Sequence, residues 1–422
     1  MKAPKKDWYK LDNAAKIYPV IMNDRWMSMF RFTAHLTRDV DAALLQRALE
    51  RALERFPGNR VRLRRGIFWY YLEQYTKPIL VEPDVNNPCT PIARGKELFR
   101  LTYYRNRVSL EVFHAIADGG GALVFFKTIL AQYIRLLGVQ VPATHGVLDV
   151  DEPPGGEELE DSFLRYSRMS VLPSRAESRA YKLSGTPLEP GCIALTTGLL
   201  SVDAVKTKAR ALRVSITEYL AATYLYALYL VQRAQPTRRK YPVKVSVPVD
   251  LRRYYKTKTL RNFSQYVNPG IDPNYGEFTF EETLAQVHHF LRYMLTEKNL
   301  NARMSKNVSE EKVLALRLVP LWIKNRAIMA VYLRTGENTF TTALSNIGPV
   351  ELPESMREYF TRFDMMLRTA RKNAIECAVA SYGDTLSVTF TRTIRQPHVE
   401  RLFFQMLVRA GLKVRIESNM EG

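Results

Sequence analysis

The sequence predicts an α/β (α+β) protein built in two halves. Its 422 residues exceed one typical hydrophobic core. Strand patterns and helix patterns alternate on both sides of an acidic, Pro/Gly-rich stretch that begins near residue 150. We therefore expect an N-terminal half over residues 1–149, an exposed linker over 150–190 and a C-terminal half over 191–422.

Each element of the first half is predicted by its hydrophobic period. Residues 27–35 read as a strand, and Asp39 is the predicted N-cap of a helix from Val40 to Leu53, which Phe56-Pro57-Gly58 ends. The elements expected next are strands at 61–64 and 68–74, a hairpin at 99–104 and 107–113, and a helix at 122–137.

The second half repeats this alternation. An apolar run at 192–200 precedes a helix that ends near Leu212, and Ser215 is the predicted N-cap of a long helix to Gln232. That helix is apolar over 219–231, which is shorter than a membrane span, so we expect it to be buried. The later elements are strands at 244–248, 339–344, 378–382 and 385–392, and a final helix at 397–410.

The chemistry of the chain is concentrated where the 107–113 strand runs into His114-Ala-Ile-Ala-Asp118-Gly119-Gly120-Gly121. A histidine at a strand end can act as a general base, and glycines allow a substrate to approach the backbone closely. A strand–turn–helix junction is a place where α/β proteins bind ligands. The alternative is a structural histidine, satisfied by backbone groups, before a flexible turn.

HxxxDG after a strand resembles the signature of the chloramphenicol-acetyltransferase-like acyltransferases. The opening segment from Trp8 to Pro19 is similar to the start of the bacterial alcohol acetyltransferase-like proteins within that superfamily. The resemblance implies two related halves with an inter-domain channel, in which acyl donor and acceptor meet at His114. Condensation domains usually carry two adjacent histidines here, and Phe113 in the first place favours a CoA-type acyltransferase.

The resemblance also implies roles for individual residues. His114 would be the general base, and Asp118 would complete the catalytic loop as its scaffold by pairing with Arg252 or Arg253. Gly119 and Gly120 would let the donor's pantetheine arm pass near the backbone.

Ser345-Asn346-x-Gly348 resembles a loop that faces the histidine box in several family members, and Asn346 would donate to the oxyanion or position the donor. Exposed arginines on a basic loop and ordinary glycine turns are the alternatives for these residues.

The net charge and the cysteine content restrict the kinds of ligand and cellular compartment that we expect. A net charge of +20 fits nucleic acid, an anionic membrane surface or an anionic ligand such as CoA, but no nucleic-acid-binding motif accompanies it. The three cysteines lack CxxC spacing and no signal peptide is recognisable, so we expect a cytoplasmic protein without a metal site or transmembrane segment.

These observations favour a CoA-dependent acyltransferase that acts on a hydroxyl or amine of a small molecule, with acetyl as the expected acyl group. Acyl-CoA is the expected co-substrate, with no tightly bound cofactor. No GxSxG nucleophile motif is present, so we expect direct transfer without a covalent enzyme intermediate. The alternatives are a condensation-type domain fed by an acyl carrier protein, and a non-catalytic binding protein with the same fold.

Overall fold

The computed structural model describes residues 8–168, 177–236, 240–312 and 319–420. The strands are β1 (Trp8–Lys10), β2 (Met29–Leu36), β3 (Val61–Arg65), β4 (Tyr70–Gln74), β5 (Glu82–Pro83), β6 (Phe99–Tyr104), β7 (Arg107–Phe113), β8 (Ala194–Ser201), β9 (Val243–Asp250), β10 (Ser264–Val267), β11 (Gly270–Ile271), β12 (Thr342–Pro349), β13 (Phe360–Leu367), β14 (Ile375–Tyr382), β15 (Thr385–Arg392) and β16 (Arg415–Ser418). The helices are α1 (Tyr18–Ile21), α2 (Ala42–Arg55), α3 (Gly119–Leu136), α4 (Ser162–Tyr166), α5 (Val202–Ala211), α6 (Ile216–Arg233), α7 (Phe280–Met294), α8 (Glu297–Lys312), α9 (Leu321–Thr335) and α10 (His398–Arg409).

The first sheet has the strand order β13-β2-β7-β6-β5. Its strand β7 leads into residues 114–118, which we call the histidine loop. Alternate residues of its strands are apolar, which gives one face that α3 covers. Phe32 stacks on Phe126 with ring centroids 6.4 Å apart, and Phe99 meets Phe125 edge-on at 5.3 Å. Because α3 begins directly after the loop, this packing fixes the loop between a strand end and a helix start.

The second sheet has the order β10-β9-β12-β14-β15-β8-β16, with β11 beside β9. Strand β12 runs parallel to both of its neighbours, and β14, β15 and β8 form an antiparallel run. Helices α6 and α10 cover one face, where Tyr224 and Phe403 contact Phe390 at 5.2 and 5.0 Å. The predicted burial of the 219–231 helix is confirmed.

Strand β13 joins the two halves. It belongs to the second half of the sequence, yet it pairs antiparallel with β2 at the edge of the first sheet, with Met365 opposite Phe32. The expected division at residues 150–190 therefore does not separate the strands completely. The pairing is non-local, so no short-range pattern in the sequence records it.

The expected linker is only partly exposed. Phe163 of α4 is buried against Phe263 at 5.2 Å, and Tyr181 and Leu183 are also buried. Residues 169–176 of this stretch lie outside the described residues.

Two local predictions need correction. Helix α2 is capped by Asp41 and not by Asp39, because the Asp41 carboxylate accepts from the backbone N–H groups of Ala43 and Leu44. The Ser345–Gly348 stretch is not a loop after a strand but part of β12, with a bulge between Asn346 and Gly348. The predicted cap at Ser215 is confirmed as a capping box.

Within the described ranges, no single helix is long and apolar enough to cross a membrane. The pair α5 and α6, bent by 82°, meets that test by length and composition only.

Gly198 of β8 lies directly beneath α10, and a Cβ at this position would come within 2.1 Å of Phe404 Cε1. We expect Gly198→Ala to lower the free energy of unfolding by about 1–3 kcal/mol, since the Phe404 ring must move within a packed core. Urea unfolding followed by circular dichroism measures this. Gly156→Ala, where nothing lies within 4 Å, is the control, and equal stabilities of the two variants would contradict the packing described.

Candidate active site

A cavity of about 940 Å³ lies between the two sheets, next to the histidine loop. Its wall brings together residues from both halves of the chain. All of the site residues that the sequence predicted contribute to it: His114, Asp118, Gly119, Gly120, Arg252, Arg253, Ser345 and Asn346.

His114 follows the last residue of β7, and its ring is held on three sides. Its backbone N–H donates to the Ser28 carbonyl at 2.9 Å. The Tyr18 ring stacks on the imidazole at 4.7 Å, and Phe30 contacts it edge-on at 5.1 Å. The Nδ1 atom lies 2.9 Å from Asn262 Oδ1. In the described part of the chain no hydrogen bond engages Nε2, so this nitrogen is left for a ligand in the cavity.

The electrostatic environment favours a neutral imidazole. Burial lowers the pKa of His114 below its ordinary value, because a charged ring loses hydration there, while the negative charge of Asp118 opposes this effect only in part. A neutral imidazole with an accessible nitrogen can accept a proton.

Asp118 is buried at the edge of the cavity, and its carboxylate holds the loop in place. Its carboxylate accepts from the backbone N–H of Gly121 at 3.0 Å, which caps α3, and from that of Phe263 at 2.7 Å. Arg252 donates to both carboxylate oxygens at 3.0 Å. Burial alone would raise the pKa of Asp118, but Arg252 and the N–H donors outweigh it, so the pKa lies below its usual value.

The structure therefore places Arg252, and not Arg253, opposite Asp118. Arg252 also donates to the carbonyls of Thr259 and Arg261, at 3.0 and 2.6 Å. Arg253 is exposed and lines the cavity near Gly348.

The three glycines serve close packing as well as access. A Cβ on Gly121 would lie 1.9 Å from the Leu260 carbonyl oxygen, and one on Gly120 would lie 3.0 Å from an Arg252 nitrogen. Because the Asp118 carboxylate occupies the start of α3, that helix end is capped by the protein itself. Gly119 and Gly120 line the cavity, whereas Gly121 is required by contact with the loop at residues 259–263.

Asn346 belongs to β12 and lines the part of the cavity wall that the second sheet forms. Its Nδ2 donates to Thr217 Oγ1 at 3.0 Å, and its Oδ1 accepts from the Gly348 backbone N–H at 2.9 Å. Gly348 has a φ of +80°, which few other residues adopt readily. An amide NH₂ carries two donors, and these contacts use one of them.

Sequence reasoning assigned no role to Asn262, Tyr18 or Thr217. Tyr18 lies in the Trp8–Pro19 segment, but no local pattern connects Tyr18 or Asn262 to His114. Among the residues described, no cluster of His, Cys, Asp and Glu could hold a metal ion. His288 instead pairs with Glu218 at 3.0 Å.

Comparison with known proteins identifies the fold. No protein-family model and no curated protein matches the sequence. Among solved structures, the polyketide synthase associated protein 5 of Mycobacterium tuberculosis is 14% identical with a TM-score of 0.61, covering 96% of this chain and 98% of that one.

Two further solved structures share the fold. The TRI3 trichothecene 15-O-acetyltransferase of Fusarium sporotrichioides is 11% identical with a TM-score of 0.59, covering 95% and 93% of the two chains. The starter condensation domain of rhizomide synthetase, solved in complex with C8-CoA and Leu-SNAC, is 14% identical with a TM-score of 0.60, covering 96% and 95%. The predicted two-lobed α/β fold of acyltransferases and condensation domains is thereby confirmed.

The buried ion pair predicts a strong dependence of stability on Asp118. Asp118→Asn removes one of the two carboxylates that pair with Arg252, the other being Asp250 at 3.0 Å, and so we expect a loss of about 1–3 kcal/mol in the free energy of unfolding at pH 7. Since the folded pKa of Asp118 is depressed, its contribution is present above the unfolded pKa of about 3.9 and is lost as the pH falls through the folded value.

Urea unfolding of both proteins between pH 3 and pH 7 tests this. Asp151→Asn, which breaks the exposed pair with Arg51, is the control and is expected to change stability little. A pH-independent difference between the Asp118 variant and the native protein would contradict the assignment.

Proposed function

We propose that the protein is an acyltransferase that moves an acyl group, an acetyl group in the simplest case, from acyl-CoA to a hydroxyl or amine of a small molecule. The observation that carries this proposal is the position of His114. Its neutral ring lies on the wall of the cavity, Nδ1 is engaged by Asn262, and Nε2 is left for an acceptor. As part of this proposal, we place the protein among the bacterial alcohol acetyltransferase-like proteins, which its Trp8–Pro19 segment resembles.

In the proposed reaction Nε2 of His114 removes the proton from the acceptor as its oxygen or nitrogen attacks the thioester carbonyl. The tetrahedral intermediate collapses by breaking the carbon–sulfur bond. The CoA thiolate then takes the proton from the imidazolium, which restores the neutral base. Donor and acceptor are both bound in the cavity, so no acyl-enzyme is formed.

The remaining cavity residues have supporting roles in this proposal. The second N–H of the Asn346 amide donates to the oxyanion, and Ser345 borders the donor beside it. Gly119 and Gly120 leave room for the pantetheine arm. Arg253, with Arg292 and Arg368, supplies positive charge along the cavity for the phosphates of CoA. Asp118 and Arg252 support the loop without transferring a proton.

A carrier-protein donor is the second candidate, because the fold is shared with condensation domains. Phe113 stands where those domains usually carry their first histidine. Its side chain is fully buried and contacts Tyr18 edge-on at 6.4 Å, so it serves packing. Acyl-CoA and an acyl-loaded carrier protein, offered at equal concentration, separate the two donors.

We further propose a cytoplasmic location. Cys89 and Cys377 are buried free thiols, and Cys192 is exposed and free. Free thiols of this kind are usual in a reducing compartment.

His114→Ala tests the assignment of the base. We expect kcat/KM for transfer from acetyl-CoA to a panel of alcohols and amines to fall by about 10²–10⁴-fold, since a positioned general base contributes that much. Release of free CoA thiol measures the rate. His398→Ala, which removes an exposed histidine of α10, is the control. Turnover unaffected by His114→Ala, or none with any donor, would contradict the proposal.

The pH dependence of the reaction follows from the environment of His114. Because burial depresses its pKa, we expect the acid limb of the kcat/KM profile to lie below the ordinary histidine value of about 6.5. A series of rates between pH 4.5 and pH 9 measures this limb. An acid limb at or above pH 7 would show that His114 is not the titrating base.

A further inference from the structure

Asp12, in the opening segment of the chain, is connected to His114 by hydrogen bonds through Asn262. We propose that Asp12 and Asn262 are positioning residues, which hold His114 in the tautomer that leaves Nε2 unprotonated. This inference rests on the proposed function for its meaning in catalysis. The tautomer itself can be measured without any turnover.

Asp12 is completely buried, and its hydrogen bonds within the described residues all come from donors. Its Oδ1 accepts from the Ala15 backbone N–H at 2.7 Å, and its Oδ2 accepts from Asn262 Nδ2 at 3.1 Å and from the Asn262 backbone N–H at 3.4 Å. The Arg261 guanidinium lies 3.5 Å from Oδ2 and supplies the opposite charge. A carboxylate only accepts hydrogen bonds, so Asn262 must turn its NH₂ group toward Asp12.

The orientation of Asn262 then favours one tautomer of His114, in addition to a hydrogen bond between the ring and the residue's own backbone. With Nδ2 directed to Asp12, Oδ1 faces the His114 ring, 2.9 Å from Nδ1. An amide oxygen only accepts, so Nδ1 must carry the hydrogen. A neutral imidazole has one N–H, and Nε2 is therefore the nitrogen with the free electron pair.

Without its hydrogen bond to Asp12, the Asn262 amide could turn over and would no longer favour this tautomer of His114. If its amide rotated by 180°, the NH₂ group would face Nδ1, which would favour the tautomer with the hydrogen on Nε2 against the hydrogen bond of the ring to its own backbone. That tautomer cannot accept a proton from an acceptor in the cavity. Asp12 opposes the rotation, because the rotated amide would turn its oxygen toward a buried carboxylate.

The same segment also restricts rotation of the ring. Tyr18 stacks on the imidazole at 4.7 Å, six residues after Asp12. The segment is tied to the second half of the chain, since the Lys10 carbonyl accepts from Arg261 at 2.6 Å and the Asn13 backbone N–H donates to Asp161 at 2.8 Å. Residues 10–18 thus form part of the surroundings of His114.

Nitrogen-15 NMR of protein labelled in histidine tests the tautomer directly. The chain has six histidines, and loss of one signal set in His114→Gln assigns His114. We expect the native ring to carry its hydrogen on Nδ1, and Asn262→Leu to shift it toward Nε2. A native ring protonated at Nε2, or a tautomer unchanged in Asn262→Leu, would overturn the proposal.

A reciprocal exchange tests the kinetic consequence. Asp12→Asn alone and Asn262→Asp alone are each expected to lower kcat about tenfold or more, a part of what a positioned base contributes, with little change in the KM for acyl-CoA. The double variant D12N/N262D restores the donor–acceptor order between the two side chains and Nδ1, although the 262 backbone N–H and Arg261 lose their carboxylate acceptor. We expect it to recover most of kcat.

The double variant also has a signature that a structural role would not produce. A carboxylate beside Nδ1 raises the pKa of His114, so the acid limb of the kcat/KM profile should move to higher pH. Asn301→Leu, which removes another buried asparagine bonded to the Tyr166 carbonyl at 2.8 Å, is the control and should leave the limb in place. Single variants with native kcat, or a double variant with a native pH profile, would overturn the proposal.

Failure of this inference and failure of the proposed function give different results. If no donor and acceptor react, or His114→Ala has no effect, the function is wrong, and the NMR measurement still decides whether Asp12 and Asn262 set the tautomer. If His114→Ala abolishes turnover while Asn262→Leu keeps both the native tautomer and the native rate, only the positioning role is wrong.

Discussion

The buried ion pair between Asp118 and Arg252 is the interaction on which the geometry of the cavity depends. It joins the histidine loop of the first sheet to the stretch that follows β9, with two hydrogen bonds of 3.0 Å to separate carboxylate oxygens. Arg252 also holds the carbonyls of Thr259 and Arg261, and Asp118 holds the Phe263 N–H. If the loop at residues 259–263 moved away from α3, the buried Asp118 carboxylate would lose the Phe263 N–H and Arg252 would lose two carbonyl acceptors, although Arg252 would keep its pair with Asp250.

His114 and Asp118 are only four residues apart in the sequence, but they have different roles in this arrangement. Asp118 carries the charge; burial would raise its pKa, but Arg252 and two backbone N–H donors hold it below the usual value. His114 remains on the cavity side, where burial keeps it neutral. The field of Asp118 limits how far the pKa of His114 falls. The pKa of His114 is thus set by a balance between lost hydration and a nearby negative charge, which suits the role of general base that we propose for it.

Most elements could be predicted because their signals are short-range. The strand at 385–392 matches β15 residue for residue, and Ser215 with Glu218 forms the expected kind of cap. Errors arose where local chemistry allows two answers. Asp39 and Asp41 can both cap a helix, and only the positions of the N–H groups select Asp41. The Gly-Pro pair at 348–349 indicated a loop, but pairing with β14 keeps it in a strand.

By itself the sequence determined the α/β class, the two lobes and the histidine box, because hydrophobic period and a motif of eight consecutive residues are local properties. Only the tertiary structure decided that Arg252 is the partner of Asp118, that β13 returns to the first sheet, and that Asp12 reaches His114 through Asn262. Arg252 is 134 positions from Asp118, Asn262 is 148 positions from His114, and Asp12 is 250 positions from Asn262. Their geometry depends on how two sheets pack, which no spacing along the chain encodes.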